Sequence, residues 1–180
     1  MAIRYRIILL GSMLMVLVGC SSRAFGGELE EVESISDTAL VRTMQYLEAD
    51  SEGPVYDVSM TVPENWVGNF ETRVNGNRIT FEYLIVDEEA VAEAEANEEE
   101  PPDPRRAAIF YIEALSREQY WEQVGSYPGD YPNIQFTADT FFIYHVPQFA
   151  FYSGLSDEDY EAWAADVPEI ITTVSTRRVN

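Results

Sequence analysis

The chain has 180 residues, about the length of one domain, and its 32 acidic residues against 11 basic ones, all arginine, give a formal net charge of −21. A charge this negative excludes the basic surface that nucleic-acid binding requires, and a single cysteine excludes an internal disulfide or a cysteine-based zinc site. With 46% hydrophobic and 13% aromatic residues, the chain nevertheless has enough apolar side chain for a packed core.

The first twenty residues have the pattern of an export signal. Arg4 and Arg6 precede an apolar run over residues 7–18, which is shorter than the roughly 20 residues needed to span a bilayer. The run ends in Leu17-Val18-Gly19-Cys20. This motif resembles the lipobox of bacterial lipoproteins at all four positions; an ordinary signal peptide with a cysteine there by chance is the alternative.

The lipobox resemblance implies that residues 1–19 are a lipoprotein signal peptide and that the Cys20 thiol carries a diacylglycerol. It places the mature chain on the extracytoplasmic side of a membrane, anchored through two or three acyl chains, and Ser21 favours the outer membrane if the cell has one. Residues 20–36 are polar and acidic, which predicts a flexible tether. A single α+β domain is expected over residues 37–180.

Alternating apolar and polar residues predict a half-buried strand over Val55–Val62, which a proline ends. Residues 63–66 predict one helical turn with a buried Trp66. An Asn-Gly pair between apolar runs predicts a hairpin of strands 70–74 and 78–86. In the second strand, four apolar side chains share one face: Ile79, Phe81, Tyr83 and Ile85.

Residues 87–106 are predicted to form an acidic insertion, since nine acids fall within positions 87–103 and no apolar face is apparent. A solvated loop, a frayed helix and a metal-binding loop are all compatible with this composition, although the spacing of an EF-hand is missing. The segment is therefore expected on the solvent side of the domain.

Residues 107–115 are apolar on both faces and predict a central strand. Ser116 and Gln119 then have the spacing of a capping box that opens a helix. Three side chains of this helix are expected to face inward: Tyr120, Trp121 and Val124.

Two more strands are expected over residues 134–136 and 141–146. The last helix begins at Ser156, with acids in its first turn that complement the helix dipole, and Pro168 either kinks it or opens a second short helix. The sum is an α+β domain whose mainly antiparallel sheet, of about five or six strands, is covered by two or three helices.

Four short motifs carry a family resemblance. They are Val-Pro-Glu-Asn-Trp at residues 62–66, Thr-Phe-Glu-Tyr at 80–83, Ile-Phe-Tyr-Ile-Glu-Ala at 109–114 and Ile-Ile-Thr-Thr-Val at 170–174. In this order they resemble the small secreted or lipid-anchored bacterial domains of the Mog1/PsbP-like family. The resemblance implies that family's α+β fold but no activity, because its bacterial members are largely without assigned function. Its eukaryotic members bind a small GTPase or photosystem subunits, and none of their contact residues can be matched here.

No catalytic set is visible in the sequence. His145, the only histidine, lies among apolar residues and is better explained as a hydrogen-bonded sheet residue than as a catalytic or metal-binding group. Neither Gly-x-Ser-x-Gly nor a glycine-rich phosphate loop is present, and carboxylate pairs decide nothing in a chain with 32 acids. We therefore expect no enzyme, no metal and no cofactor.

Five aromatic residues lie in or beside glycine- and proline-rich segments: Tyr127, Tyr131, Phe149, Phe151 and Tyr152. Exposed on loops, they would form a binding surface for a sugar or a protein; tucked over the sheet ends, they would only pack the fold. The sequence thus predicts a non-catalytic, lipid-anchored binding or accessory module of the envelope, with a protein or glycan partner. A small carboxylate-dependent hydrolase and an acidic cation-binding surface over residues 87–103 are the alternatives.

The lipid anchor can be tested by metabolic labelling. We expect the full-length protein to incorporate labelled fatty acid and to sediment with membranes, and Cys20→Ala to lose both properties because the thiol is the only site of attachment. Ser21→Ala is the matched control and should behave as wild type. An unlabelled wild-type protein, or a Cys20→Ala protein that stays fully with the membranes, would contradict the prediction.

Overall fold

Nine strands and four helices make up the part of the chain that the computed structural model describes, which is residues 31–48, 51–126, 132–147 and 154–179. The strands are β1 (Glu31–Ser34), β2 (Ala39–Glu48), β3 (Ser51–Thr61), β4 (Phe70–Asn75), β5 (Arg78–Ile85), β6 (Arg105–Ser116), β7 (Asn133–Phe136), β8 (Thr140–His145) and β9 (Ser175–Arg178). The helices are α1 (Glu88–Ala96), α2 (Arg117–Ser126), α3 (Asp157–Ala164) and α4 (Val167–Thr173), and a 3₁₀ turn covers Glu64–Trp66.

The strands form two antiparallel sheets, ordered β1-β4-β5-β6-β8-β7 and β2-β3-β9. Apolar side chains from both sheets, α3 and α4 join in one buried core. The smaller sheet and these two helices therefore cover one face of the six-stranded sheet, called here the inner face. This confirms the predicted α+β class with a mainly antiparallel sheet and helices over it, and adds a second sheet.

Two strands of the smaller sheet have weak sequence signals. β2 places Arg42 on its buried side, where the guanidinium donates to Thr72 Oγ1 and lies 3.2 Å from Glu33, so a charge interrupts the apolar alternation. β9 has the polar sequence Ser-Thr-Arg-Arg and pairs with the middle of β3. β9 is a strand because it pairs with the distant β3, whereas β2 pairs with β3 as its neighbour in sequence, from Ala39 with Thr61 to Glu48 with Ser51.

The folded part begins earlier than the predicted boundary at residue 37. Strand β1 pairs with β4 along its whole length, although its own side chains are exposed. Ile35 follows with no solvent exposure, and its N–H donates to Phe70 O at 2.8 Å. The tether prediction is therefore wrong for residues 31–36, because an exposed edge strand has the composition of a linker.

The capping box and the hairpin are confirmed, although the turn lies one residue later than the predicted Asn75-Gly76 pair, because Asn75 is still paired with Arg78 in the strands. Ser116 N donates to Gln119 Oε1 at 2.9 Å and Gln119 N donates to Ser116 Oγ at 3.1 Å, which are the reciprocal bonds of a capping box. The hairpin closes through Gly76-Asn77. Gly76 has a positive φ of 54°, which the first central residue of a type II′ turn requires. Pro168 opens the separate helix α4 rather than kinking a longer one.

The acidic insertion contains a helix with a narrow apolar stripe. Asp87 caps α1 by accepting a hydrogen bond from Ala90 N at 3.1 Å. Ala90 and Val91 are half-buried and Ala94 is buried, while the acids of the helix remain exposed. The expectation that no face could bury anything was wrong, since three small side chains at helical spacing form a partly buried stripe on α1.

A β-bulge in β6 is held by a buried tyrosine from α3. The register between β5 and β6 shifts after Phe81, which leaves Ile109 as the extra residue of β6. Tyr160 Oη donates to Ile109 O at 3.3 Å and to Pro147 O at 2.6 Å, and burial raises the pKa of Tyr160 to about 12. The single proton of this hydroxyl is thus shared between a carbonyl of the segment after β8, which has the shorter bond, and a carbonyl of the bulge.

We expect Tyr160→Phe to keep the fold and to lower the free energy of unfolding by about 1–2 kcal/mol, because it leaves buried carbonyls without a donor. The loss should be largest below pH 10. Above that pH the unfolded tyrosine ionises while the folded one stays protonated up to about pH 12, so the wild-type advantage declines. Urea denaturation from pH 7 to 11 measures this, and a constant difference between the two proteins would contradict it.

Candidate functional site

The binding and lipidation residues selected from the sequence lie outside the described part of the chain. They are Cys20, Tyr127, Tyr131, Phe149, Phe151 and Tyr152. Residues 127–131 connect α2 to β7, and the described surface of these two elements carries exposed aromatic side chains of its own. That surface is the candidate site.

Four rings from α2, β7 and β8 form a continuous series, the aromatic row, consisting of Trp121, Tyr120, Phe141 and Phe136. Tyr120 stacks on Phe141 with centroids 4.3 Å apart and 4° between the ring planes. Trp121 meets Tyr120 edge-on at 5.3 Å, and Phe136 lies 6.3 Å from Phe141. The ends of the row are open, since Trp121 is 60% exposed and Phe136 is 73% exposed. Neighbouring exposed aromatic side chains, unlike single ones, mark an interaction surface.

The capping box and one tyrosine hold α2 in place beneath the row. The helix begins directly after β6, so Ser116 fixes its start at the end of the sheet. Tyr120 Oη accepts a hydrogen bond from Asn133 Nδ2 at 2.9 Å, which ties the helix to β7. The predicted inward orientation is wrong for Trp121, because neighbouring helical residues point about 100° apart and Tyr120 takes the direction toward the sheet.

An open groove of about 490 Å³ lies at the Phe136 end of the row. It is lined by Arg117, Phe136, Thr137, Ala138 and Phe141. Phe136, Phe141 and Ala138 form its apolar part, and Arg117 is the charged residue among the described residues of its lining. A concave, mostly apolar surface that also includes an arginine can hold a ligand that combines a flat apolar group with an anion.

Asp139 organises the turn that forms the wall of the groove. Its carboxylate accepts from the hydroxyls of Thr137 at 3.0 Å, Tyr56 at 3.1 Å and Thr140 at 3.2 Å, and from Arg178 at 3.0 Å. Burial acts to raise the pKa of Asp139, but the three hydroxyl bonds and the nearby arginine outweigh it and hold the pKa below its ordinary value. The turn is thus tied to β3 and β9 across the core.

The outer face of the six-stranded sheet, opposite the core, carries cross-strand ion pairs. They are Arg73 with Glu82, Arg106 with Glu71, and Arg78 with Glu113. Arg78 also lies 4.5 Å from the centroid of the Tyr111 ring. Each carboxylate is engaged by an arginine on a neighbouring strand or beyond, which makes this face a set of structural pairs.

A second, smaller cavity of about 160 Å³ opens beside these pairs, lined by Asn75, Asn77, Arg78 and Glu113. Asn75 Oδ1 has no hydrogen-bond donor in the described part of the chain. A cavity this small and polar is of the kind that holds water, and one water molecule would satisfy the amide oxygen.

The other described side chains that could act in catalysis or bind a metal are not grouped into a site. His145 is half-buried on β8 with its ring 5.2 Å from that of Tyr111. Among the described residues, no three His, Cys, Asp or Glu side chains are grouped so that they could share a metal ion. The described helices include none with the length and apolar character needed to cross a membrane.

Searches of protein-family models, curated proteins and solved structures found no match to this chain. The resemblance to the Mog1/PsbP-like family accordingly remains a prediction from four sequence motifs.

We expect Asp139→Asn to lower the free energy of unfolding at pH 7 by about 1 kcal/mol, a value reduced for the partial exposure of the ion pair. Because the folded pKa lies below the unfolded one, the wild-type advantage should be present above about pH 4 and decline as the pH falls further. Asp103→Asn, an exposed position in the segment after α1, is the control. Denaturation curves between pH 2.5 and 7 test this prediction. If the free energy of unfolding depends on pH in the same way for wild type and Asp139→Asn, the lowered pKa of Asp139 is contradicted.

Proposed function

We propose that this chain is a lipid-anchored, extracytoplasmic binding or accessory module of the cell envelope that performs no catalysis of its own. The lipobox at residues 17–20 supports the anchor and the compartment. The aromatic row supports binding: Trp121 and Phe136 stay open to solvent although the domain buries a large aromatic core elsewhere. This exposed pair is the observation that carries the proposal.

The free-energy cost of exposing large aromatic side chains explains why the aromatic row indicates a binding surface. Exposed tryptophan and phenylalanine side chains risk aggregation, and each gives several kcal/mol when a partner covers it. The strong negative charge of the chain keeps it dispersed, which permits an apolar surface to remain open. A binding module benefits from this arrangement, because repulsion opposes self-association while a complementary partner can still dock.

The test uses the full-length, lipidated protein as bait in detergent-solubilised envelope, with protein and glycan analysis of what is recovered. We expect wild type to enrich a defined component, and the double variant Trp121→Ala/Phe136→Ala to recover about tenfold less or below, because both anchors of the surface are lost.

The matched control is Val41→Ala/Val86→Ala, which truncates apolar side chains that are 56% and 54% exposed away from the aromatic row. It should recover the component as wild type does. Equal recovery by the aromatic double variant, with its circular dichroism unchanged, would remove the aromatic row as the binding surface. A wild-type bait that enriches nothing over an unrelated lipoprotein would overturn the proposed function.

A further inference from the structure

Arginine is the scarce charge of this protein, and nearly every described arginine has a carboxylate partner. Six of the eight form ion pairs: Arg42, Arg73, Arg78, Arg106, Arg177 and Arg178. The other two, Arg105 and Arg117, have no carboxylate partner within the described ranges. Arg105 lies directly against Gly154, where an added Cβ would come within 2.6 Å of its guanidinium. Arg117 lines the groove instead.

An arginine that has no carboxylate partner in the described ranges, and that lines a groove with the exposed Phe136 and the half-buried Phe141, is suited to recognising an anion. The guanidinium binds carboxylates with two parallel hydrogen bonds, and it is seldom left unpaired where acids outnumber bases by about three to one. In this groove the flanking surfaces are Phe136, Phe141 and Ala138, which favour a flat apolar group next to the anion.

We propose that the groove binds the C-terminal residue of a partner protein, one with an aromatic side chain and a free α-carboxylate. The carboxylate would bind Arg117, and the aromatic side chain would pack against Phe136 and Phe141. The inference rests on the proposed function, since it names the kind of partner that the aromatic row accepts.

The polar lining favours a chain end over a sugar. Among the described residues of the lining, Thr137 supplies the one hydroxyl, which already donates to Asp139 and accepts from Thr140 N at 3.0 Å. Sugar hydroxyls would therefore find few partners in the groove, whereas a carboxylate with one ring needs only the guanidinium and the phenyl surfaces.

The openness of the groove favours a polypeptide over a free small molecule. Small ligands bind tightly where most of their surface is buried, and Phe136 at 73% exposure does not form such an enclosure. A polypeptide can extend beyond the groove over Trp121, and β7, which carries Phe136, is an edge strand of its sheet. Edge strands are the usual place where an added peptide pairs.

Charge also limits the ligand. A net charge of −21 repels polyanions and anionic lipid surfaces. A chain end brings one negative charge, which a single arginine can match at short range, and Debye screening over about 10 Å reduces the repulsion from the remaining acids.

The experiment measures binding of N-terminally labelled Gly-Ser-Gly-Ser-Phe peptides by fluorescence anisotropy, with either a free C-terminal acid or an amide. We expect wild type to bind the acid about ten- to a hundredfold more tightly than the amide, because only the acid forms charge-assisted hydrogen bonds with Arg117. The same peptide ending in alanine acid should bind at least about tenfold more weakly than the phenylalanine acid.

Three variants separate the contributions. Arg117→Gln should abolish the preference for the acid, and Phe136→Ala should weaken binding of acid and amide alike. Arg105→Gln removes the other unpaired arginine, at the opposite end of β6, and should bind as wild type. Equal affinity of wild type for acid and amide, an unchanged preference in Arg117→Gln, or phenylacetate binding as tightly as the peptide would each overturn the inference.

Failure of this inference can be distinguished from failure of the proposed function. If the aromatic row recovers an envelope component but the acid peptide shows no preference, the binding module stands and the chain-end inference falls. If the wild-type bait enriches nothing in the envelope experiment, the proposed function itself fails, whatever the peptides show.

Discussion

The packing around Trp66 is the interaction on which the rest of the structure depends. Its indole stacks on Phe70 at 3.9 Å with 10° between the planes, and meets Trp163 edge-on at 6.3 Å. Its Nε1 donates to Asp166 Oδ2 at 2.8 Å, immediately before α4. One side chain thus joins the six-stranded sheet to α3 and to the start of α4, and a sheet with one apolar face must find such a cover to be stable.

Burial of the inner face leaves the outer face free for charge. On that face Arg73, Arg78 and Arg106 neutralise glutamates from neighbouring strands or beyond. The chain has only 11 arginines against 32 acidic residues, so the position of each arginine indicates whether a surface has a structural or a binding role. Where an arginine holds two strands together its role is structural; where it lines an aromatic groove without a carboxylate, a ligand is the natural complement.

The groove is connected to the core through one buried hydroxyl. Tyr56 lies on β3, packs edge-on against Phe142 at 4.9 Å, and donates to Asp139 at the wall of the groove. Arg178 on β9 reaches the same carboxylate. The shape of a surface site therefore depends on the smaller sheet, and hydrogen bonds made within the fold hold the wall of the groove in place before a ligand binds.

The sequence by itself determined the elements whose signals are local. The capping box at Ser116, the buried Trp66, the hairpin around Gly76 and the central strand β6 all follow from a few neighbouring residues, and so does the α+β class. Side-chain chemistry within one turn or strand is enough to set these features.

The strands β1, β2 and β9 and the candidate site could be identified only from the tertiary structure. β1 and β9 carry mainly exposed or charged residues, and pairing with strands far away in the sequence makes them strands. β2 pairs with β3, its neighbour in the chain, but the buried Arg42 interrupts its apolar alternation. The site depends on which way Trp121 and Phe136 face and on Arg117 lacking a carboxylate partner among the described residues, properties of residues brought together from α2, β7 and β8. Exposure and charge pairing are relations between segments far apart in the chain, and a linear pattern of residue types does not contain them.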